Sequence, residues 1–207
     1  MLNIALPKGR LGRQVYGLLA RAGCRCDGVA EDSRRLIFEN PEAGVRYFLV
    51  KPTDVATYVA RGAADVGVAG KDTILESGAE VYELLDLGVG RCRMAIAARN
   101  GFTDGRAGPL RVATKYPRIA RAHFQREGRE IELITLHGSI ELAPLLGLSD
   151  VIVDIVETGT TLRENGLSVV STIMDVSARL IAARASYRFH ETELTALTQR
   201  LSEVCRP

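Results

Sequence analysis

The sequence predicts an α/β protein of two lobes with mostly parallel sheets. Three observations predict it. Short apolar runs alternate with segments of helical periodicity along most of the chain. The alternation breaks once, at Arg99–Pro109, where Asn100-Gly101, Asp104-Gly105 and Gly108-Pro109 read as an exposed loop, and then restarts. A chain of 207 residues suffices for one compact unit or two small lobes, not for a larger assembly of domains.

In order, Leu2–Leu6 is a short apolar strand. Leu11–Ala22 is an amphipathic helix, with Leu11, Val15, Leu18, Leu19 and Ala22 at helical spacing and Gly23 as its stop. Arg35–Glu39 and Arg46–Lys51 read as strands joined by a turn through Asn40-Pro41-Glu42-Ala43-Gly44. Pro52 opens a helix to Arg61, because proline at the first helical position gives up no hydrogen bond. Asp65–Ala69 is a strand, Gly70-Lys71-Asp72 starts a helix, and Val81–Asp86 and Arg93–Ala98 are strands. After the loop come strand Arg111–Ala113, helix Pro117–Arg126, strand Glu130–Leu136, helix Ile140–Leu146 and strand Asp150–Asp154. A short helix and the stretch Ser168-Val169-Val170-Ser171 follow, and helices Val176–Ala185 and Glu191–Val204 end the chain. Residues 1–90 with 176–207 are expected to form the first lobe, and 91–175 the second.

Composition narrows the function classes. Lys plus Arg is 27 against 25 for Asp plus Glu, so the net charge of +2 gives no reason to expect nucleic acid or an anionic membrane as a partner. A small phosphorylated ligand stays compatible, because local clusters decide that. No run approaches the roughly 18 apolar residues of a membrane span. The opening Met1-Leu2-Asn3-Ile4-Ala5-Leu6-Pro7-Lys8 lacks the leading basic residue and long apolar core of a signal peptide, so a cytoplasmic location is expected. Cys24, Cys26, Cys92 and Cys205 form no zinc set, and Cys24 and Cys26 are expected to be packing thiols. His123, His137 and His190 have no catalytic partner in sequence.

The strongest local signal is Val151-Ile152-Val153-Asp154-Ile155-Val156-Glu157-Thr158-Gly159-Thr160-Thr161-Leu162. An apolar strand ends in an acid, a second acid follows, then a Thr-Gly-Thr-Thr loop, then a helix. N–H groups at a helix start hold a phosphate, and the hydroxyls of Thr158, Thr160 and Thr161 donate to its oxygens. Gly159 keeps a Cβ out of the ligand's way. Asp154 and Glu157 are placed to accept hydrogen bonds from ribose hydroxyls. The order as a whole reads as a site for a phosphorylated ribose.

Generic phosphoribosyltransferases carry two adjacent acids before such a loop; this chain has Asp154-Ile155. It resembles instead the ATP phosphoribosyltransferase family, the first enzyme of histidine biosynthesis. Glu141, Gly147, Ser149, Ile152, Asp154, Ile155, Thr158, Gly159, Thr161 and Leu162 fall in register with that family's signature. So do Leu6-Pro7-Lys8-Gly9-Arg10-Leu11, Ser33-Arg34-Arg35-Leu36-Ile37-Phe38 and Lys51-Pro52-Thr53-Asp54-Val55. Gly62-Ala63-Ala64-Asp65-Val66-Gly67-Val68-Ala69-Gly70-Lys71-Asp72 and Ala113-Thr114-Lys115-Tyr116-Pro117 extend the resemblance over essentially the whole chain.

The resemblance implies a type II periplasmic-binding-protein-like fold with its active site in the inter-lobe cleft. It implies transfer of the phosphoribosyl group of phosphoribosyl pyrophosphate (PRPP) to N1 of ATP, with Mg²⁺ held mainly by the substrate phosphates and not by protein side chains. The length fits the short form, whose partner is a regulatory subunit resembling a histidyl-tRNA synthetase. That implies a hetero-octamer, a homodimer of the catalytic chain, and histidine acting through the partner. Lys8, Arg10 and Arg34 are the implied catalytic cations. Asp154, Glu157, Thr158, Gly159, Thr160 and Thr161 are implied for PRPP, and Lys8, Gly9, Lys51 and Asp72, less firmly, for ATP. Three other readings meet specific objections, and a non-catalytic regulatory paralogue is one: the loop, Lys8 and Arg10 are all retained. A solute-binding module should be exported, and a transferase acting on a free nucleobase should keep the adjacent acid pair.

Overall fold

The computed structural model describes residues 1–29, 34–105 and 107–206. Ser33 of the quoted motif and Arg106 of the expected loop lie outside them. The chain divides into two units, Met1–Gly90 with Ser177–Pro207, and Arg91–Val176. The first begins with β1 (Leu2–Pro7), α1 (Arg10–Arg21), β2 (Ile37–Asn40), β3 (Val45–Val50), and a 3-10 turn at Pro52–Asp54 leading into α2 (Val55–Ala60). β4 (Val66–Gly70), α3 (Lys71–Ser77) and β5 (Val81–Asp86) follow. The second unit holds β6 (Cys92–Arg99), β7 (Leu110–Thr114), α4 (Pro117–Arg126), β8 (Ile131–Thr135), α5 (Leu142–Leu145), β9 (Val151–Val156), α6 (Thr160–Glu164) and β10 (Leu167–Val176). The chain then returns to the first unit with β11 (Ala178–Ala183), α7 (Arg184–Phe189) and α8 (Glu191–Cys205).

The sheet of the first unit has the order β2-β3-β1-β4-β11-β5, and that of the second β10-β6-β9-β7-β8. β1 is parallel to β3 and β4, and β7 to β8 and β9; the other pairings are antiparallel. The sheets are therefore mixed rather than mostly parallel. A parallel neighbour needs a crossover of about a dozen residues or more, and the short Pro41–Gly44 turn between β2 and β3 forces a hairpin. Strands β6, β10 and β11 also run against their neighbours.

The expected helix Val176–Ala185 is the second correction. Most of it is β11, a central strand between β4 and β5. Ala178, Leu180 and Ala182 enter one core cluster, with Val15, Leu19, Leu194 and Leu197; Ile181 and Ala183 enter another, with Val55, Val59 and Ile74. A strand covered on both faces is apolar at nearly every position, in β11 at all but Arg179, so its period-2 signal vanishes and alanine's helix propensity misleads. The returning segment is tied down by Asp65. Its carboxylate accepts from the Asn3 N–H (2.8 Å), the Asn3 Nδ2 (3.0 Å) and the Ser186 hydroxyl (2.8 Å), joining α7 to β1. Cys24 and Cys26 are buried in the first core, and burial raises both thiols above the usual range. Among the described residues no helix is long and apolar enough to cross a membrane.

Candidate active site

In the first unit, parallel strands β3, β1 and β4 bring their C-terminal ends to one edge. Pro7 pairs with Val50, and the Lys8 N–H donates to the Val50 carbonyl at 2.8 Å, so Lys8 and Lys51 leave the sheet side by side. β4 ends at Gly70, and Asp72 stands in the first turn of α3. β2 is antiparallel to β3, and the Leu49 N–H donates to the Leu36 carbonyl, so the chain before β2 returns Arg34 to the same edge. Lys8, Gly9, Arg10, Arg34, Lys51 and Asp72, far apart in sequence, thus share one edge. All but the half-buried Asp72 are exposed. Arg35, next to Arg34, is bound to its own strand: it donates to the Ile37 carbonyl at 2.7 Å and lies over the Phe38 ring.

The start of α1 is built for an anion. It has no side-chain cap and no acid in its first turn, and a cation, Arg10, is its first residue. A cation at the positive end of a 12-residue helix opposes the macrodipole, whereas an anionic ligand there is favoured by both. The approach of this helix to β1 depends on Gly12, which sequence reasoning passed over. A Cβ on Gly12 would lie 1.7 Å from the Pro7 carbonyl oxygen. The available signal was a glycine inside a helical pattern, where it costs about 1 kcal/mol against alanine. Gly12→Ala is expected to cost about 1–3 kcal/mol of stability and to weaken nucleotide binding by displacing Lys8-Gly9-Arg10. Chemical denaturation and titration calorimetry would check the two effects.

In the second unit, parallel strands β7, β8 and β9 end on one edge. Thr114 pairs with Val153, which sets Lys115 beside Asp154, with Nζ 3.4 Å from Oδ1. Asp154 lies inside β9, which runs on through Ile155 and Val156 instead of ending at the acid as expected. Its side chain is 17 % exposed. Burial pushes this carboxyl above the usual range, while Lys115 and the Ile155 N–H pull it back and Glu141 adds to the rise.

Glu157 and Thr158 follow exposed, Gly159 takes a left-handed backbone (φ 72°, ψ 11°), and α6 begins at Thr160. A Cβ at Gly159 would meet Arg163 Nη1 at 3.5 Å and Val156 Cγ1 at 3.7 Å, ordinary contacts. The surrounding protein thus leaves room for a Cβ, and the left-handed backbone is what the structure itself demands of this position. The hydroxyls of Thr158 and Thr160 are 3.1 Å apart. Arg163 donates to the Thr158 carbonyl and to the Thr160 hydroxyl, both at 3.0 Å, which ties the loop to the helix that follows it. Sequence reasoning missed Arg163, because an exposed arginine on a short helix is unremarkable by itself. Helix α6 has only five residues, so hydroxyls and N–H groups outweigh any macrodipole there.

Two of the three histidines have other engagements. His190 Nδ1 pairs with Glu193 at 2.9 Å, and His123 packs on Phe124, with burial lowering its pKa. Among the described residues no three of His, Cys, Asp or Glu stand close enough to hold a metal ion.

The first unit thus carries a cationic edge, and the second carries Asp154 and Glu157 beside a Thr-Gly-Thr-Thr loop. The sequence profile of the ATP phosphoribosyltransferase family matches residues 51–203. The chain belongs to the ATP phosphoribosyltransferase family. It is 51 % identical to the ATP phosphoribosyltransferase of Brachyspira hyodysenteriae, over 99 % of this chain and 100 % of that one. It is 48 % identical to that of Bacillus subtilis, over 99 % and 95 %. A solved ATP phosphoribosyltransferase (HisG:HisZ) complex from Thermotoga maritima matches with a TM-score of 0.86 and 34 % identity, over 99 % of this chain and 98 % of that one. The periplasmic aliphatic sulphonate binding protein SsuA of Escherichia coli matches with a TM-score of 0.60 and 14 % identity, over 99 % and 72 %. At that identity the likeness speaks for the fold alone, and it is the type II periplasmic-binding-protein class that this ATP phosphoribosyltransferase family member shares.

Proposed function

We propose that the chain transfers the phosphoribosyl group of PRPP to N1 of ATP, giving phosphoribosyl-ATP and pyrophosphate, the first step of histidine biosynthesis. The observation that carries this reading is the β9 edge, where Asp154, Glu157 and the Thr158–Thr161 loop stand together in a member of this family. The N1 lone pair forms the new bond to C1 of the ribose. The C1–O bond breaks on the opposite face, its electron pair leaves on pyrophosphate, and the configuration at C1 inverts.

No protein nucleophile is required. The work of the chain is to orient two substrates and to stabilise separating charge. Thr158, Thr160, Thr161 and the N–H groups around Gly159 hold the 5′-phosphate. Asp154 and Glu157 accept from the ribose hydroxyls. Lys8, Arg10 and Arg34 neutralise the phosphates of ATP and the leaving pyrophosphate, for which the planar fork of arginine is suited. Lys51, Gly9 and Asp72 line the ATP side of that edge.

The donors on both edges are mostly hydroxyl, ammonium and guanidinium groups, which bind phosphate oxygens. This fits Mg²⁺ carried on the substrate phosphates and water, as that ion prefers. When bound there it supplies further neutralisation of the pyrophosphate charge. The chain acts as the catalytic subunit of a hetero-oligomer with a HisZ-type regulatory subunit, after the Thermotoga complex.

The test is pyrophosphate release from PRPP and Mg²⁺, with and without ATP, by the chain alone and with a HisZ-type subunit added. ATP-dependent release is expected. No release in either setting, or release driven by adenine or hypoxanthine instead of ATP, would overturn the proposal.

A further inference from the structure

We infer that Lys115 is a positioning residue of the PRPP site: it acts through Asp154, whose carboxylate it keeps ionised and fixed in orientation. The inference rests on the reading that Asp154 accepts the ribose hydroxyls. The ammonium of Lys115 is 3.4 Å from Asp154 Oδ1 and 5.1 Å from the centroid of the Tyr116 ring, and Tyr116 is itself buried. The cation is thus contacted from two directions, by a carboxylate and by a ring face.

Asp154 needs it. A carboxylate this far out of water is costly unless paired, and an unpaired one gains a proton instead. Among the described residues the charges acting on it are those of Lys115 and Glu141. Lys115 follows β7, and Glu141, before α5, adds a like charge. The neighbouring strand β6 places Ala95 opposite, which has no charge to offer. The remaining support is the Ile155 N–H at 2.8 Å. An ionised Asp154 is acceptor-only and can take hydrogen bonds from two vicinal hydroxyls; once protonated, one of its oxygens becomes a donor and the match fails. Removing Lys115 leaves the Ile155 N–H to oppose the push of burial and Glu141 on the carboxyl. The ionised fraction then falls first on the acid side.

The test uses the catalytic chain with its regulatory subunit present and follows kcat and KM against pH for Lys115→Met, Lys115→Arg, Asp154→Asn and the double variant Lys115→Met/Asp154→Asn. Lys115→Met is expected to raise KM for PRPP about tenfold on the acid side, where the carboxyl gains its proton, and less at higher pH, with KM for ATP unchanged. Its acid limb of kcat/KM should move to higher pH. Lys115→Arg should restore both, and the double variant should be no worse than Asp154→Asn alone. Losses that add up in the double variant would mean that Lys115 touches the substrate itself, and would overturn the inference. So would an unmoved acid limb in Lys115→Met. A wild-type KM for PRPP in Asp154→Asn would instead sink the ribose reading, and the inference with it.

Discussion

Arg10→Ala is expected to lower kcat/KM by about 100- to 1,000-fold, the range for losing one preorganised donor to a developing negative charge, while the melting temperature stays the same or rises slightly. The two readouts should diverge because Arg10 is badly placed for the helix it begins. It stands at the positive end of α1, in a first turn with no acid and no side-chain cap. Alanine is the best helix former and removes the conflict with the macrodipole. Charge on the leaving pyrophosphate grows as the C1–O bond breaks, so the loss should fall mainly on kcat and less on KM. Steady-state kinetics beside a thermal melt would decide the matter. An unchanged turnover with an intact fold would remove Arg10 from the machinery.

How much of this was legible in the sequence depends on what each feature needs. Lys8-Gly9-Arg10 is readable because a basic turn directly follows an apolar strand, and the Thr-Gly-Thr-Thr loop because its order is local. Features set by pairing between distant strands are not. Lys115 and Asp154 meet only because β7 and β9 are parallel in one register, Thr114 opposite Val153. Arg34 reaches the edge of Lys51 only because β2 folds back on β3. Periodicity reports faces, not directions, so the mixed sheets were read as mostly parallel. It also fails where both faces are covered, as in β11, where Ala178, Leu180, Ile181, Ala182 and Ala183 are all buried. Gly12 needed the Pro7 carbonyl to explain it.

Gly159→Val should weaken PRPP binding about 100-fold. A left-handed backbone costs about 1–3 kcal/mol for an ordinary residue and is most hostile to a β-branched one. At φ 72° the valine must either take that strain or move the loop. Movement would break the hydrogen bonds from Arg163 to the Thr158 carbonyl and the Thr160 hydroxyl, and with them the donor array for the 5′-phosphate. The fold should survive, because Thr158, Thr160 and Thr161 are exposed. Crowding and backbone strain make different demands here. The site has ordinary room for a Cβ, with its nearest neighbours at 3.5 and 3.7 Å. Asparagine tolerates the left-handed region better than alanine or valine. If the backbone is what matters, calorimetric affinity for PRPP should therefore fall in the order Gly, Asn, Ala, Val, although asparagine is larger than alanine. An order that follows side-chain size would show that the ligand itself lies against this position. Equal affinity throughout would mean that the loop does not hold the phosphate.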